Sequence, residues 1–304
     1  MNGLRTLRVS CLIVTMGAAL VCGAALAQAP GAFTPSVGQA GKDVIWVPSP
    51  DRVVDRLLRM AEVRSSDVVV DLGSGDGKIA IAAARSYGAR ARGLEYNPDM
   101  VQLSKRRAVE AGVQDKVEFV QADIFASNFS DATVVTMYLL PALNLRLRPI
   151  LMKMKPGTRL ASHSFDMGSW MPDETSNVGS ARGYLWIVPA NVQGEWTLNA
   201  ATGAAGAPQS LAIRQRFQKI EGDANFGEVD ASLASATVRG AELRFTVRDP
   251  QGRVQQVSAR VDGNRMSGTL TLPGQAPVSF TAQRVGTPQS IDESSGERAL
   301  DQAS

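Results

Sequence analysis

Cysteine is almost missing: the 304-residue chain has two, Cys11 and Cys22, both within the first 27 residues. Without that stretch nothing is left for a disulfide, a thiolate metal site or a thiol nucleophile. Histidine is scarcer still, with His163 alone, and a single imidazole makes no metal site. An excess of one charge is also lacking. The formal net charge is +3, but residues 1–27 hold Arg5 and Arg8 and no acid, so the remainder carries 30 basic against 29 acidic residues, net +1. That is no electrostatic footprint for nucleic acid or anionic lipid. At 44% hydrophobic and 20% charged residues, the composition excludes a collagen-like or wholly disordered chain. Its length points to two domains.

The first 27 residues read as a secretory signal peptide. Arg5 and Arg8 form a charged start, Val9 to Leu26 is mostly apolar and small, and Ala25-Leu26-Ala27 offers a small-x-small site with cleavage after Ala27. Gly17, Cys22 and Gly23 interrupt the run, which weighs against a retained anchor. Val21 is not the small residue that lipid attachment at Cys22 would want. No other apolar run reaches bilayer-spanning length. The expectation is a soluble, exported protein, periplasmic or secreted, with no stable membrane anchor after cleavage.

Residues 28–42, rich in Pro, Gly and Ala, read as a linker. Residues 43–190 then alternate helix and strand patterns as a βαβ protein does. Val54, Leu57, Leu58 and Ala61 give Asp51 to Val63 a helical period. Asp67 to Asp71 is a β-branched run suited to a central parallel strand. Helices are expected over Lys78 to Tyr87, Pro98 to Ala111 and Asn144 to Lys155. Further strands are expected over Ala91 to Glu95, Val117 to Val120, Thr133 to Tyr138 and Arg159 to Ser164. From Gly194 the helical period stops, and short alternating runs separated by turns follow: Gly194 to Leu198, Leu211 to Ile220, Ala241 to Val247, Val254 to Val261, Met266 to Leu272 and Val278 to Gln283. Residues 191–285 therefore predict a smaller all-β antiparallel barrel or sandwich. Residues 286–304 read as a disordered tail.

Asp71-Leu-Gly-Ser-Gly-Asp-Gly77 lies between a predicted strand and a predicted helix, with glycines where a backbone must turn tightly and approach a ligand. A dinucleotide fingerprint would need glycine where Lys78 stands, and a P-loop would need a hydroxyl after that lysine, where Ile79 stands. A nicotinamide-dependent oxidoreductase is disfavoured accordingly. Asp71 and Asp76 flank the turn, and carboxylates repel a pyrophosphate while attracting an ammonium or sulfonium, so a cationic nucleoside is expected. Glu95, about twenty residues beyond the turn, sits where a carboxylate accepts from ribose hydroxyls. Asp123, in Val120-Gln-Ala-Asp-Ile124, can accept from an exocyclic adenine amine. All three acidic positions fall at carboxyl ends of strands, where open α/β sheets bind ligands.

With these motifs, residues 43–189 resemble a class I S-adenosylmethionine-dependent methyltransferase. The narrower resemblance is to the small archaeal and mitochondrial-type protein-lysine methyltransferases. It rests on Trp46-Val-Pro-Ser-Pro50, the Asp71 run, Val135-Thr-Met-Tyr-Leu-Leu-Pro141 with Asn144, and Ser162-His-Ser-Phe-Asp166 with Trp170. It leaves the C-terminal β region uncovered. The resemblance implies a Rossmann-like α/β sheet with helices on both faces and S-adenosyl-L-methionine as cofactor. It implies cofactor contacts from Asp71, Gly73, Ser74, Gly75, Asp76, Gly77, Glu95, Asp123 and Ile124. It further implies acceptor contacts from Pro48, Pro141, Asn144 and Trp170, and direct methyl transfer to an amine such as a protein lysine. Tyr138 would wall or hydrogen-bond that amine and Asp166 would orient it or take its proton; His163 reads as structural. The Asn/Asp-Pro-Pro-aromatic signature of nucleic-acid adenine methyltransferases is replaced by Tyr138-Leu-Leu-Pro141, which argues against a base as acceptor. The competing reading is an exported, non-catalytic binding protein on the same fold, although a pocket freed from the cofactor would have no need for the three acids together.

Overall fold

A computed structural model describes residues 33–201, 206–272 and 274–292. The expected signal peptide, both cysteines and the last part of the expected tail lie outside the described residues. Among the described residues, no helix is long and apolar enough to cross a membrane.

The first layer is an α/β sheet. Helix α1 (Asp51–Met60) follows Pro50 and buries Val53, Val54, Leu57 and Leu58, the three- and four-residue spacing of a helix face. Strand β1 (Val68–Leu72) leads into α2 (Lys78–Tyr87), β2 (Arg90–Glu95) and α3 (Pro98–Glu110). Asn97 starts α3 by accepting the amides of Asp99 and Met100, with Pro98 in its first turn. Then come β3 (Val117–Gln121), β4 (Val134–Met137), α4 (Pro141–Leu151) and β5 (Arg159–His163). Helix α4 begins three residues earlier than the sequence pattern predicts, because Pro141 suits a first helical turn. It ends at Leu151, short of the expected Lys155.

No helix follows β5. The chain instead makes a hairpin that the sequence pattern does not predict, β6 (Glu174–Val178) and β7 (Ala181–Ile187). The sheet order is β3-β2-β1-β4-β5-β7-β6; the first five strands are parallel, and β7 runs antiparallel to both β5 and β6. Helices α1, α2 and α3 pack on one face with Val69 and Val134. On the other face α4 packs with Trp170, Trp186 and Val70. The expected Rossmann-like sheet with helices on both faces is what forms.

The second layer is a nine-stranded antiparallel sheet, curled until it is nearly closed. Its strands are β8 (Gly194–Ala200), β9 (Ser210–Arg216), β10 (Lys219–Asn225), β11 (Asp230–Ser232), β12 (Ala234–Arg239), β13 (Glu242–Arg248), β14 (Val254–Asp262), β15 (Arg265–Thr271) and β16 (Val278–Val285). The order is β11-β10-β9-β8-β16-β15-β14-β13-β12, so the last strand slots between the first and its own neighbour. The Leu233 amide donates to Gly222 O at 2.9 Å, drawing one end of the sheet back toward the other. Strict alternation on β14, with Gln255, Val257, Ala259 and Val261 inward, supplies the barrel-like core. The run Leu211 to Ile220, expected as one strand, is two: Phe217 and Gln218 form the turn between paired Arg216 and Lys219. Residues 286–292, expected to open a disordered tail, return to the protein. Ile291 is buried, its carbonyl accepts the Phe217 amide at 2.9 Å, and Asp292 pairs with Arg148 at 2.8 Å.

Candidate functional site

The site opens at the carboxyl ends of β1, β2 and β4, as parallel-sheet topology dictates. It is a cavity of about 310 Å³, within the usual range for small-molecule pockets. Its floor is the turn after β1. The amides of Gly73 and Ser74 both donate to Leu94 O, at 2.9 and 3.0 Å, and the Ser104 hydroxyl donates to Gly75 O at 2.8 Å. These bonds fix the loop against β2 and α3. Gly75 has φ +53°, and a Cβ there would lie 2.7 Å from Trp46 Nε1, so only glycine lets the loop lie beneath the N-terminal segment. Gly77, φ +79°, faces away from the cavity, where a Cβ would meet Phe119 at 2.5 Å. Its role is to start α2.

The acids divide into different tasks. Asp71 is buried and accepts from the Thr136 hydroxyl at 2.7 Å. Burial raises its pKa to about 7, with repulsion from Asp76 and Glu95 adding to the rise. Glu95 takes the amides of Gly75 and Asn97, one on each carboxylate oxygen, both at 2.9 Å, and still borders the cavity. Each oxygen retains a lone pair for a ligand hydroxyl. Asp76 lines the cavity edge, but its carboxylate pairs with Arg107 of α3. Of the two acids that flank the turn, Asp71 therefore supplies the unneutralised one. Asp123 and Ile124 line the far end. Asp123 accepts the Phe125 amide at 2.9 Å and Lys42 Nζ at 2.6 Å, and Lys42 holds its carboxyl below the usual range.

Lys42 belongs to a cover, although the sequence pattern assigns it to the linker. The Gly38 amide donates to Trp46 O and the Trp46 amide to Gln39 O, both at 2.9 Å, giving a small hairpin whose residues line the cavity from Gln39 onward. Besides its bond to Asp123, Lys42 Nζ lies 4.8 Å over the Tyr96 ring. Neither strand periodicity nor a turn pair marks this hairpin in the sequence; the Gly41–Lys42 dipeptide is its only local signal.

The other end is aromatic. The Tyr138 ring lies 3.8 Å from the His163 ring and 6.0 Å from that of Phe165, centroid to centroid. Tyr138, Phe165 and Pro48 line the cavity. His163 is buried, its Nδ1 is 2.8 Å from the Ser49 hydroxyl, and burial lowers its pKa to about 4. It is therefore a neutral support for Tyr138, matching the structural reading. Sequence alone does not single out Ser49 or Phe165, since neither residue type signals chemistry by itself.

Besides Gly77, expected to touch the cofactor, four expected residues stand outside the cavity wall. Asp166 is exposed and accepts the Gly168 amide at 3.0 Å, closing a turn away from Tyr138. Asn144 is buried and donates to Phe165 O and Asp166 O, at 3.2 and 3.1 Å, so it holds the loop after β5. Pro141 is an exposed first-turn residue of α4. Trp170 is fully buried, its carbonyl accepting Trp186 Nε1 at 2.8 Å, because a large indole next to a sheet face is worth more in the core than at a pocket rim. Among the described residues no cluster of His, Cys, Asp or Glu could hold a metal ion.

A nucleoside bearing a sulfonium and an ammonium fits these residues. Asp71 is a buried carboxylate answered by one hydroxyl, Ser74 Oγ is buried without a hydrogen-bond partner, and Glu95 borders the cavity with lone pairs to spare. The model of the ANTKMT methyltransferase domain matches residues 71–174. A protein-lysine N-methyltransferase of Saccharolobus islandicus is 41% identical over 137 residues, 44% of this chain and 85% of that protein. A lysine N-methyltransferase of Mus musculus, named for an ATP synthase component, is 29% identical over 226 residues, 73% of this chain and 83% of that one. Among solved structures, one described as an RNA methyltransferase from Salinibacter ruber with S-adenosyl-L-homocysteine is 52% identical, covering 48% of this chain and 96% of that one, with a TM-score of 0.47. The chain thus belongs to the S-adenosylmethionine-dependent methyltransferases, in the group that includes the archaeal and mitochondrial-type protein-lysine enzymes.

Proposed function

We propose that the enzyme methylates the side-chain amine of a protein lysine, and that it does so outside the cytoplasm. The observation that carries the acceptor is the neutral aromatic end of the cavity, Tyr138 between His163 and Phe165, together with relatives whose names are lysine methyltransferases. S-adenosylmethionine supplies an electrophilic methyl group on a sulfonium. Asp71 would hold its ammonium, Glu95 its ribose hydroxyls, and Asp123 and Ile124 its adenine. Tyr138 presents a π face, which would attract the sulfonium, and His163 stays uncharged beneath it. An aromatic, poorly hydrated channel favours the neutral form of an entering amine, the form with a free electron pair. That pair would take the methyl group from the bound sulfonium, the C–S electrons staying on sulfur and the amine proton leaving to solvent. Alignment and desolvation are the protein's contribution; Asp166, turned to Gly168, takes no proton in this scheme.

The export reading rests on Arg5, Arg8, the apolar run from Val9 and Ala25-Leu26-Ala27. Two experiments test the pair. Methyl-labelled S-adenosylmethionine is supplied with poly-L-lysine or with total RNA: label on poly-L-lysine that disappears in Asp71→Ala supports the acceptor, while label on RNA alone, or none, overturns it. A reporter active only after export is fused to residues 1–27. A cytoplasmic, uncleaved fusion removes the export half.

A further inference from the structure

The loop after β5, residues 164–173, carries one wall of the acceptor end, because Phe165 lies there. Helix α1 packs on β5, β6 and β7, and the sheet ties the two ends of the loop through Ser164 N to Arg182 O, the Ser162 hydroxyl to Phe165 O and Asp173 N to Leu185 O. From the side of α4, Asn144 holds Phe165 O and Asp166 O, and Arg148 donates to Met167 O at 3.1 Å. From the opposite side the contacts come from the β domain. Phe217, at the tip of the β9–β10 hairpin, stacks on Trp170 with centroids 5.9 Å apart and planes 11° apart. Arg148 lies 5.4 Å over the same Phe217 ring. Gln218 Nε2 donates to Met171 O at 2.6 Å, and Asp292 pairs with Arg148.

Phe217 is buried within the core of the methyltransferase sheet, among Trp170, Trp186, Leu147 and Leu151, rather than in the core of its own barrel. Its backbone sits at φ +53°, in the first place of a two-residue turn that glycine or asparagine ordinarily fills. An aromatic held in that conformation, with its side chain committed to the neighbouring domain, is an outlier whose persistence calls for a purpose.

We infer that the β domain is a buttress for the acceptor site and that Phe217 is a positioning residue for methyl transfer, acting through Trp170 on the loop that presents Phe165. The β domain then sets turnover while leaving cofactor binding alone, since the turn after β1, Glu95 and Asp71 touch none of these residues. Phe217→Ala, Phe217→Tyr and Gln218→Ala in the full chain test this. In Phe217→Ala, deuterium uptake over residues 164–173 is expected to rise at least tenfold while the amides of β1 and the Gly73–Gly77 turn keep their protection. S-adenosylhomocysteine affinity should stay within twofold. Turnover on poly-L-lysine should fall at least tenfold with the KM for S-adenosylmethionine unchanged, and Phe217→Tyr should restore both turnover and protection. If Phe217→Ala fails to fold, Gln218→Ala, which leaves no cavity, is read instead and should raise uptake over 164–173 severalfold without lowering Tm. Wild-type uptake in that loop, or a parallel loss of cofactor affinity, overturns the assignment. Only the turnover arm depends on lysine being an acceptor; deuterium uptake decides the buttress by itself.

Discussion

Asp71 couples the site to pH in two opposite ways. Its carboxyl is protonated below about 7 in the free protein because burial disfavours the charge. A raised acid stabilises the fold where it is protonated, so its contribution to stability is lost as pH rises from the ordinary carboxylate range through about 7. A cationic ligand needs the ionised form. Binding of S-adenosylmethionine should therefore tighten as pH rises toward about 7 and level off above it, and calorimetric titrations across that range should show the plateau. Asp71→Asn should flatten the profile and, at the plateau, cost about 1–3 kcal/mol of binding, the scale of a charge-assisted hydrogen bond; a profile unchanged in the variant would remove Asp71 from the ammonium. The glycines separate by surroundings in the same manner. Gly77→Ala forces a Cβ within 2.5 Å of the Phe119 ring at φ +79°, whereas Gly112→Ala, φ +66°, meets nothing within 4 Å. Both incur the left-handed backbone penalty, and Gly77→Ala should cost a further ~1–3 kcal/mol in denaturant unfolding from overpacking.

At the scale of elements, legibility follows the strength of the local pattern. Helix α2 lies where its alanine-rich period puts it, and the β1 turn is readable because three glycines and two acids sit between a β-branched run and that helix. The β6–β7 hairpin is not: its Gly179-Ser180 turn suits a tight hairpin, but its strands mix Asn, Ser and Arg with apolar residues and hide the alternation. Strand β12, Ala-Ser-Ala-Thr-Val-Arg, lacks the large apolar residues that mark a face. The break between β9 and β10 has no glycine, asparagine or proline, because Phe217 holds the turn position for the sake of another domain. The same reason hides the site's cover, since the hairpin from Gly38 to Trp46 gains its form from Asp123 and from the space above Gly75. That cover makes a separate prediction. The Lys42–Asp123 pair is about a third exposed on each side, so it is a weak, solvent-screened latch. Lys42→Met should speed S-adenosylhomocysteine association by up to about fivefold in stopped flow, since an exposed pair can hold the cover only weakly. Added salt should speed the wild type toward the variant. Equal association rates at low salt would show that the hairpin does not gate entry.

For the whole molecule, the decisive feature is that one hydrophobic core draws on both layers. Phe217 shares a cluster with Trp170, Trp186, Leu147 and Leu151, the Ala190 amide donates to Gly240 O at 2.7 Å, and Asp292 closes on Arg148. Removing the β domain would bare the buried indole of Trp170, and removing the α/β sheet would leave Phe217 in water. Neither layer unfolds at low cost while the other stays folded, so the chain should melt in a single calorimetric transition with equal van't Hoff and calorimetric enthalpies. Ligand linkage sharpens the test. S-adenosylhomocysteine at about a hundred times its dissociation constant adds ~2.7 kcal/mol to the folded state, a shift of roughly 4–5 °C for a chain of this size. Because the cavity draws no residue from the β domain, a β domain that unfolded independently would ignore the ligand. Amide exchange on β13, β14 and β15 should slow along with that of β1 and β2 when ligand is added. Two separate transitions, with ligand moving one and leaving the barrel strands unprotected, would show that the shared core does not couple the layers.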